Sequence, residues 1–92
     1  MVVGSLQVRL LVREARTLKD KRQVVRSIRD RLRHEYNVSI AEVDHLDDHR
    51  QVTLGIATVG WDTKHVRDSL QKITEALRRH PVAEFVDCTL DI

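Results

Sequence analysis

Between Thr17 and His34 the chain places Arg22, Arg26, Arg29 and Arg33 at steps of three and four residues, with Lys19 and Lys21 just ahead of them. Guanidinium groups repeated at this spacing are poor general acids or bases near neutral pH. They bind anions well, and their planar forks match phosphate oxygens two at a time. At about 100° per residue the four arginines fall within roughly 60° of helical arc. At about 1.5 Å rise per residue they span about 16 Å, enough to meet two or three successive phosphates. From Arg16 to His34 eight basic residues stand against two acids, a local charge of +6 in a chain of formal charge +2, so the remainder carries −4. A basic element on a mildly acidic body is the charge pattern of an anion-binding face, and a nucleic-acid backbone suits a line of cations. The competing account is a solvated helix face. Arginine stems cover apolar neighbours, and Arg26 with Asp30 and Arg31 with Glu35 stand at the i, i+4 spacing of surface ion pairs.

Other chemistries have less to stand on. Asp44, His45, Asp47, Asp48 and His49 gather oxygen and imidazole groups in one short segment, yet a metal ion would need three of them to converge, and polar turns use the same residue types. Cys88 is the single cysteine, which excludes an intramolecular disulfide and a cysteine-based metal site. It alternates with apolar residues, as core packing does. No glycine-rich phosphate loop and no paired nucleophile and base occur, so the expectation is a non-enzymatic protein with no cofactor and no catalytic residue.

The elements that must position the arginines are marked by period. Leu6, Val8, Leu10 and Val12 alternate with Ser5, Gln7, Arg9 and Leu11, predicting a first strand over Val2 to Val12. Thr17 with Asp20 three residues on reads as a capping box that starts a helix. Leu18, Val25, Ile28, Leu32 and Tyr36 make its apolar stripe, and Asn37 stops it. Strands follow over Val38 to His45 and Gln51 to Val59, joined by a polar hairpin from Leu46 to Arg50. Asp62 caps a second helix with inward residues Val66, Leu70, Ile73 and Leu77, and Trp61 is placed to pack on Val66 as a hydrophobic staple. Pro81 ends that helix at Arg79 or His80. In the last strand, Glu84 to Ile92, Val86, Cys88, Leu90 and Ile92 alternate with Phe85, Asp87, Thr89 and Asp91.

The order β-α-β-β-α-β with one stripe per helix predicts an α+β, ferredoxin-like fold: a four-stranded antiparallel sheet with both helices on one face. The 92 residues make one domain, 1–92, with one small core. Hydrophobic content of 41% with 33% charged residues argues for an ordered chain. The opening MVVGSLQVRLLVREAR is interrupted by Gln7 and Arg9, so it reads as neither signal peptide nor membrane span, and a cytoplasmic location with no membrane partner is expected. Many arginines with few amide side chains fit a thermophilic source.

The run TLKDKRQVVRSIRDRLRHEYNVSIAEVDH, Thr17 to His45, with the opening MVVGSLQV and the later LGIA and HP pair, closely resembles the YlxP-like family of small bacterial proteins, a domain of unknown function. The resemblance covers nearly the whole chain. Thr17 stands where the family usually has Ser before LKDKR, which keeps the capping oxygen. The resemblance implies a ferredoxin-like fold. Because the family's genes often lie beside those of translation initiation and ribosome-maturation factors, it also implies a link to RNA or the ribosome. It supplies no catalytic residues. Acylphosphatases share the fold, but the Arg13 to Thr17 connection lacks their glycine-rich cradle, so no activity transfers.

RNA recognition domains of this fold stack bases on sheet aromatics, whereas QVTLGIATV and the first strand have none. Binding through phosphates and RNA shape is what these residues permit, using Arg22, Arg26, Arg29 and Arg33 with Lys19 and Lys21 in support. The expected partner is RNA or a ribosomal assembly. A rival expectation is a protein-interaction module that forms a homodimer through the open sheet face, where Leu11, Val43, Ala57, Val59 and Phe85 would make an apolar patch.

Overall fold

The computed structural model describes residues Met1 to Ile92 and contains β1 (Val2–Leu11), α1 (Leu18–Glu35), β2 (Ser39–Asp44), β3 (Gln51–Gly60), α2 (Thr63–Arg78) and β4 (Glu84–Asp91). The strands form one antiparallel sheet in the order β2-β3-β1-β4. Both helices cover one face of it, α1 over β2 and α2 over β1, β3 and β4, which is the ferredoxin-like arrangement that the order of elements predicts. Leu6, Val8 and Leu10 of β1 stand in register with Ile56, Leu54 and Val52 of β3, and all six are buried beneath the helices. Val25, Ile28 and Leu32 from α1 and Val66, Leu70, Ile73 and Leu77 from α2 close the same cluster. Each fully buried side chain of this kind contributes about 1.5–3 kcal/mol.

The capping groups hold the helix starts. Thr17 Oγ1 accepts the Asp20 N–H at 3.1 Å, and Asp20 returns the bond by accepting from the Arg16 N–H at 3.0 Å. That backbone donor is the main reason the Asp20 carboxyl lies below its ordinary value. At the other end the Tyr36 N–H reaches Leu32 O at 2.9 Å, so α1 stops one turn short of Ile40, and Asn37 O instead accepts from the Thr58 hydroxyl.

Three side chains stand elsewhere than their sequence pattern predicts. Trp61 does not staple Val66. Val66 is lodged where β1 and β3 lack side chains: a Cβ on Gly4 would collide with it, and one on Gly60 would lie 2.8 Å from it. No surface of Val66 is left for an indole, and Trp61 remains 77% exposed. Phe85 and Val86 exchange faces. β4 follows β1 with Arg9 opposite Asp87 but Leu10 opposite Phe85, a bulge of one residue that inverts the alternation beyond it. Phe85 therefore turns inward, where the Arg78 guanidinium lies 4.1 Å from its ring centroid. Val86 is left half-exposed beside Leu11 and Thr53 on the open face.

In β2 the regular alternation from Ile40, opposite Ile56, aims Glu42 at the helix face opposite Leu54; a second bulge follows between Glu42 and Asp44, where Val43 lies over Gly55. Glu42 meets Lys21, whose place among the phosphate-binding cations the structure corrects: Lys21 is fully buried. Its ammonium donates to Glu42 Oε2 at 2.7 Å, to His45 O at 2.9 Å and to Gln51 O at 3.3 Å, with Leu46 O at 3.5 Å. The reason is its helical phase. Lys21 falls on the same stripe as Val25, Ile28 and Leu32, so its tail must enter the protein and find oxygens there.

His80 closes the connection from α2 to β4. Its Nδ1 accepts from the Val82 and Ala83 N–H groups at 3.2 and 3.0 Å, which requires the neutral ring. Burial, and secondarily the nearby Arg31 charge, push its pKa below the ordinary value of 6.5. Because the folded-state pKa is depressed, the unfolded chain takes up the proton first. This contribution is complete above pH 6.5 and is lost as pH falls from there through the folded-state pKa. Denaturant midpoints measured from pH 8 to pH 5 should decline for the native chain. In His80→Asn, whose amide oxygen can accept the same bonds without titrating, the decline should be shallower.

Removing the Lys21 ammonium strands a mostly buried carboxylate and the carbonyls it serves. Lys21→Met should cost about 3–5 kcal/mol in equilibrium unfolding. The double variant Lys21→Met, Glu42→Leu, with only carbonyls left short of donors, should cost about 1–3 kcal/mol.

Candidate nucleic-acid interface

α1 is oriented by what it buries. With Lys21, Val25, Ile28 and Leu32 facing inward, the helix turns two flanks sideways. One flank carries Arg31, whose Nε donates to Glu35 at 3.3 Å and which faces His80 of the α2–β4 connection. The other carries Arg22, Arg26, Arg29 and Arg33 in the predicted line, with Lys19 one turn before them.

Lys19, Arg22, Arg26 and Arg33 are exposed and Arg29 is half-buried. Arg33 is anchored: its Nη2 donates to Ile40 O at 3.3 Å, which ties the end of the line to the edge strand β2. Arg29 leans far enough inward that its Nε is shut off from water, with no hydrogen-bond partner. The five ion pairs of the chain are Arg9–Asp87, Arg13–Glu84, Lys21–Glu42, Arg31–Glu35 and Lys64–Asp68, and none uses a cation of the line. Arg31 makes the expected pair with Glu35, whereas Arg26 and Asp30 remain apart. The line is thus a row of five cations without carboxylate partners, Lys21 being spent on the interior.

The acidic hairpin is occupied by its own backbone. Asp48 Oδ1 accepts from the Arg50 and Gln51 N–H groups at 2.8 and 2.9 Å, and Oδ2 accepts from the Gln51 amide at 3.1 Å. These donors, Gln51 foremost, pull its carboxyl down to about 2. Asp44 Oδ1 accepts the His45 N–H, and His45, at φ 58, hydrogen-bonds Thr53 through Nδ1 at 2.8 Å. Cys88 is half-buried at the margin of the core.

The open sheet face is a shallow trough of about 570 Å³ floored by small residues, including Ser5, Ala41, Gly55 and Ala57. Val3, opposite Val59 in the register, and Val43 are each about half exposed, at 53%, 50% and 52%. The ion pair of Arg9 with Asp87 crosses from β1 to β4 on the same face.

One feature escapes the sequence pattern. Trp61 and His65 stack face to face, ring centroids 4.2 Å apart and planes 20° from parallel. They stand over a hollow of about 430 Å³ whose other wall is the end of α1 and its connection to β2, Glu35 to Val38. The signal was present as an aromatic and a histidine four residues apart, but the position of Trp61 just before Asp62, five residues from Val66, also fits a helix staple.

Residues 3–90 match the family model described as a protein of unknown function, DUF503. The chain is 28% identical over 83 residues to the uncharacterized protein YlxP of Bacillus subtilis (strain 168), the alignment covering 90% of each. No helix is long and apolar enough to cross a membrane. With a match that runs from the second residue of β1 almost to the end of β4, this chain belongs to the DUF503 family, the YlxP-like group that its LKDKR and NVSIAEVDH segments resemble.

Proposed function

We propose that this protein is a cytoplasmic, non-enzymatic binder of structured RNA, free or within a ribosomal assembly. Arg22, Arg26, Arg29 and Arg33 contact successive phosphates, and Lys19 supports them. The observation that carries this reading is the row of five cations along one flank of α1, none of which is among the ion-paired cations Arg9, Arg13, Lys21, Arg31 and Lys64. A helix face that merely needed solvation would gain from i, i+4 acids, and Asp30, the one acid positioned for this, leaves Arg26 free. Arg33 held to Ile40 O and Arg29 packed on the flank lose little side-chain freedom when they meet an anion, which favours binding.

A second reading is a homodimer through the open sheet face, supported by the half-exposed Val3, Val43 and Val59 around a trough of small residues. The inward turn of Phe85 removes the largest side chain expected there. The two readings are compatible, since a dimer carries two arginine lines and gains avidity.

Titration against labelled ribosomal RNA fragments over a range of salt should give a log–log slope of about −3 to −4, from four contacts at about 0.7 each on single strands and about 0.9 each on duplex. The variant Arg22→Gln, Arg26→Gln, Arg29→Gln, Arg33→Gln should lose most of both affinity and slope. Equal binding by the two proteins, or none at low salt, overturns the RNA reading. Sedimentation equilibrium on the same pair then decides whether self-association stands by itself.

A further inference from the structure

We propose that Trp61, backed by His65, is a stacking platform for one unpaired base of the RNA whose phosphates lie along α1. The proposal rests on the RNA reading and adds to it the kind of RNA that fits: a duplex flanked by an unstacked nucleotide, as in a loop, bulge or overhang.

The chain has one Trp, one Tyr and one Phe, and their fates differ. Phe85 is covered by Arg78, Tyr36 is half-buried against the core, and Trp61 is 77% exposed. Val66 cannot shelter it, because that side chain already fills the slot between Gly4 and Gly60. The indole is nevertheless placed. His65, one helical turn on, supports one face at 4.2 Å and leaves the opposite face open to a flat partner. A π surface fixed in this way loses little freedom on stacking, and stacking is insensitive to which base arrives.

Location connects the platform to the cation line. The hollow beside Trp61 is walled by Glu35 to Val38, and Arg33 lies two residues before that wall with its guanidinium against β2. A strand that follows the arginines toward the end of α1 runs into the hollow. The acids bordering it are engaged: Glu35 accepts from Arg31 at 3.3 Å, and Asp62 caps α2 through the Lys64 N–H at 3.4 Å. A base inside a helix offers no free face, so only an unpaired nucleotide can use the platform.

Trp61 is the sole tryptophan, so its emission reports the contact without a label. Two RNAs of equal duplex length are compared, one blunt and one with a short single-stranded adenosine overhang, their binding also followed by anisotropy of a labelled RNA end. The overhang RNA should quench Trp61 and bind about 5- to 150-fold more tightly than the blunt duplex, the factor that one stacked base supplies. Trp61→Ala should bring that ratio to near one, and Trp61→Phe should restore most of it. If anisotropy reports binding of both RNAs with equal affinity and unchanged emission, the platform fails while the phosphate reading stands. If neither RNA binds at low salt, both fail together. A ratio unaltered in Trp61→Ala also overturns the proposal.

Discussion

The Lys21 ammonium is the contact on which the arrangement of this molecule turns. An unpaired ammonium at zero exposure would be prohibitive, and one carboxylate seldom repays the desolvation of a pair. Here Glu42 and the carbonyls of His45, Gln51 and Leu46 share its protons. Those oxygens come from both strands and the turn of the β2–β3 hairpin, while the donor comes from the first turn of α1. One buried charge therefore sets both the height and the rotation of α1 over the edge of the sheet. Taking Lys21 as the inward direction, about 100° per residue places Arg29, Arg22, Arg33 and Arg26 at roughly 80°, 100°, 120° and 140° around the helix, and Arg31 at about 80° the other way. That ordering accounts for what is seen. Arg29, nearest the sheet, loses its Nε from water, Arg26 is free, and Arg31 faces His80 across the helix pair.

The two bulges do for the edge strands what Lys21 does for the helix. An edge strand is anchored on one side only, so an extra residue there is easily absorbed and changes which side chains reach the core. On β2 the register is unbroken from Ile40 to Glu42, which therefore faces inward to meet Lys21, and the extra residue after it puts Asp44, not Val43, opposite Thr53. On β4 it brings Phe85 under Arg78 and puts Val86 outside, which leaves the open face composed of small residues and scattered valines rather than an aromatic patch.

The central strands, both helices, their N-caps and the succession of elements were legible in the chain because each rests on local periodicity or on a single capping oxygen. The bulges were not. A period of two carries no mark of an inserted residue, so Phe85 and Val86 were read on the wrong faces. The arginine line was legible from its three- and four-residue steps. Lys21 was read as part of it because charge was counted by composition, although its helical phase, seven residues before Ile28 and four before Val25, already put it on the apolar stripe. Trp61 illustrates a different limit. Position before an N-cap fits a staple only if its target is uncovered, and whether Val66 is covered depends on Gly4, sixty-two residues away in the chain.

Charge placement explains why a chain of net +2 can present one positive face. Arg9 and Arg13 hold Asp87 and Glu84 in ion pairs and keep both carboxyls below their ordinary values. Lys64 likewise holds Asp68 in an ion pair. Each such pair is a short dipole whose field is faint beyond a screening length of about 8 Å at physiological salt. Lys19, Arg22, Arg26, Arg29 and Arg33 of α1 have no such partners, so their fields add along the line. Five cations without carboxylate partners on one flank of a single helix concentrate positive potential there, and net charge alone would have concealed this.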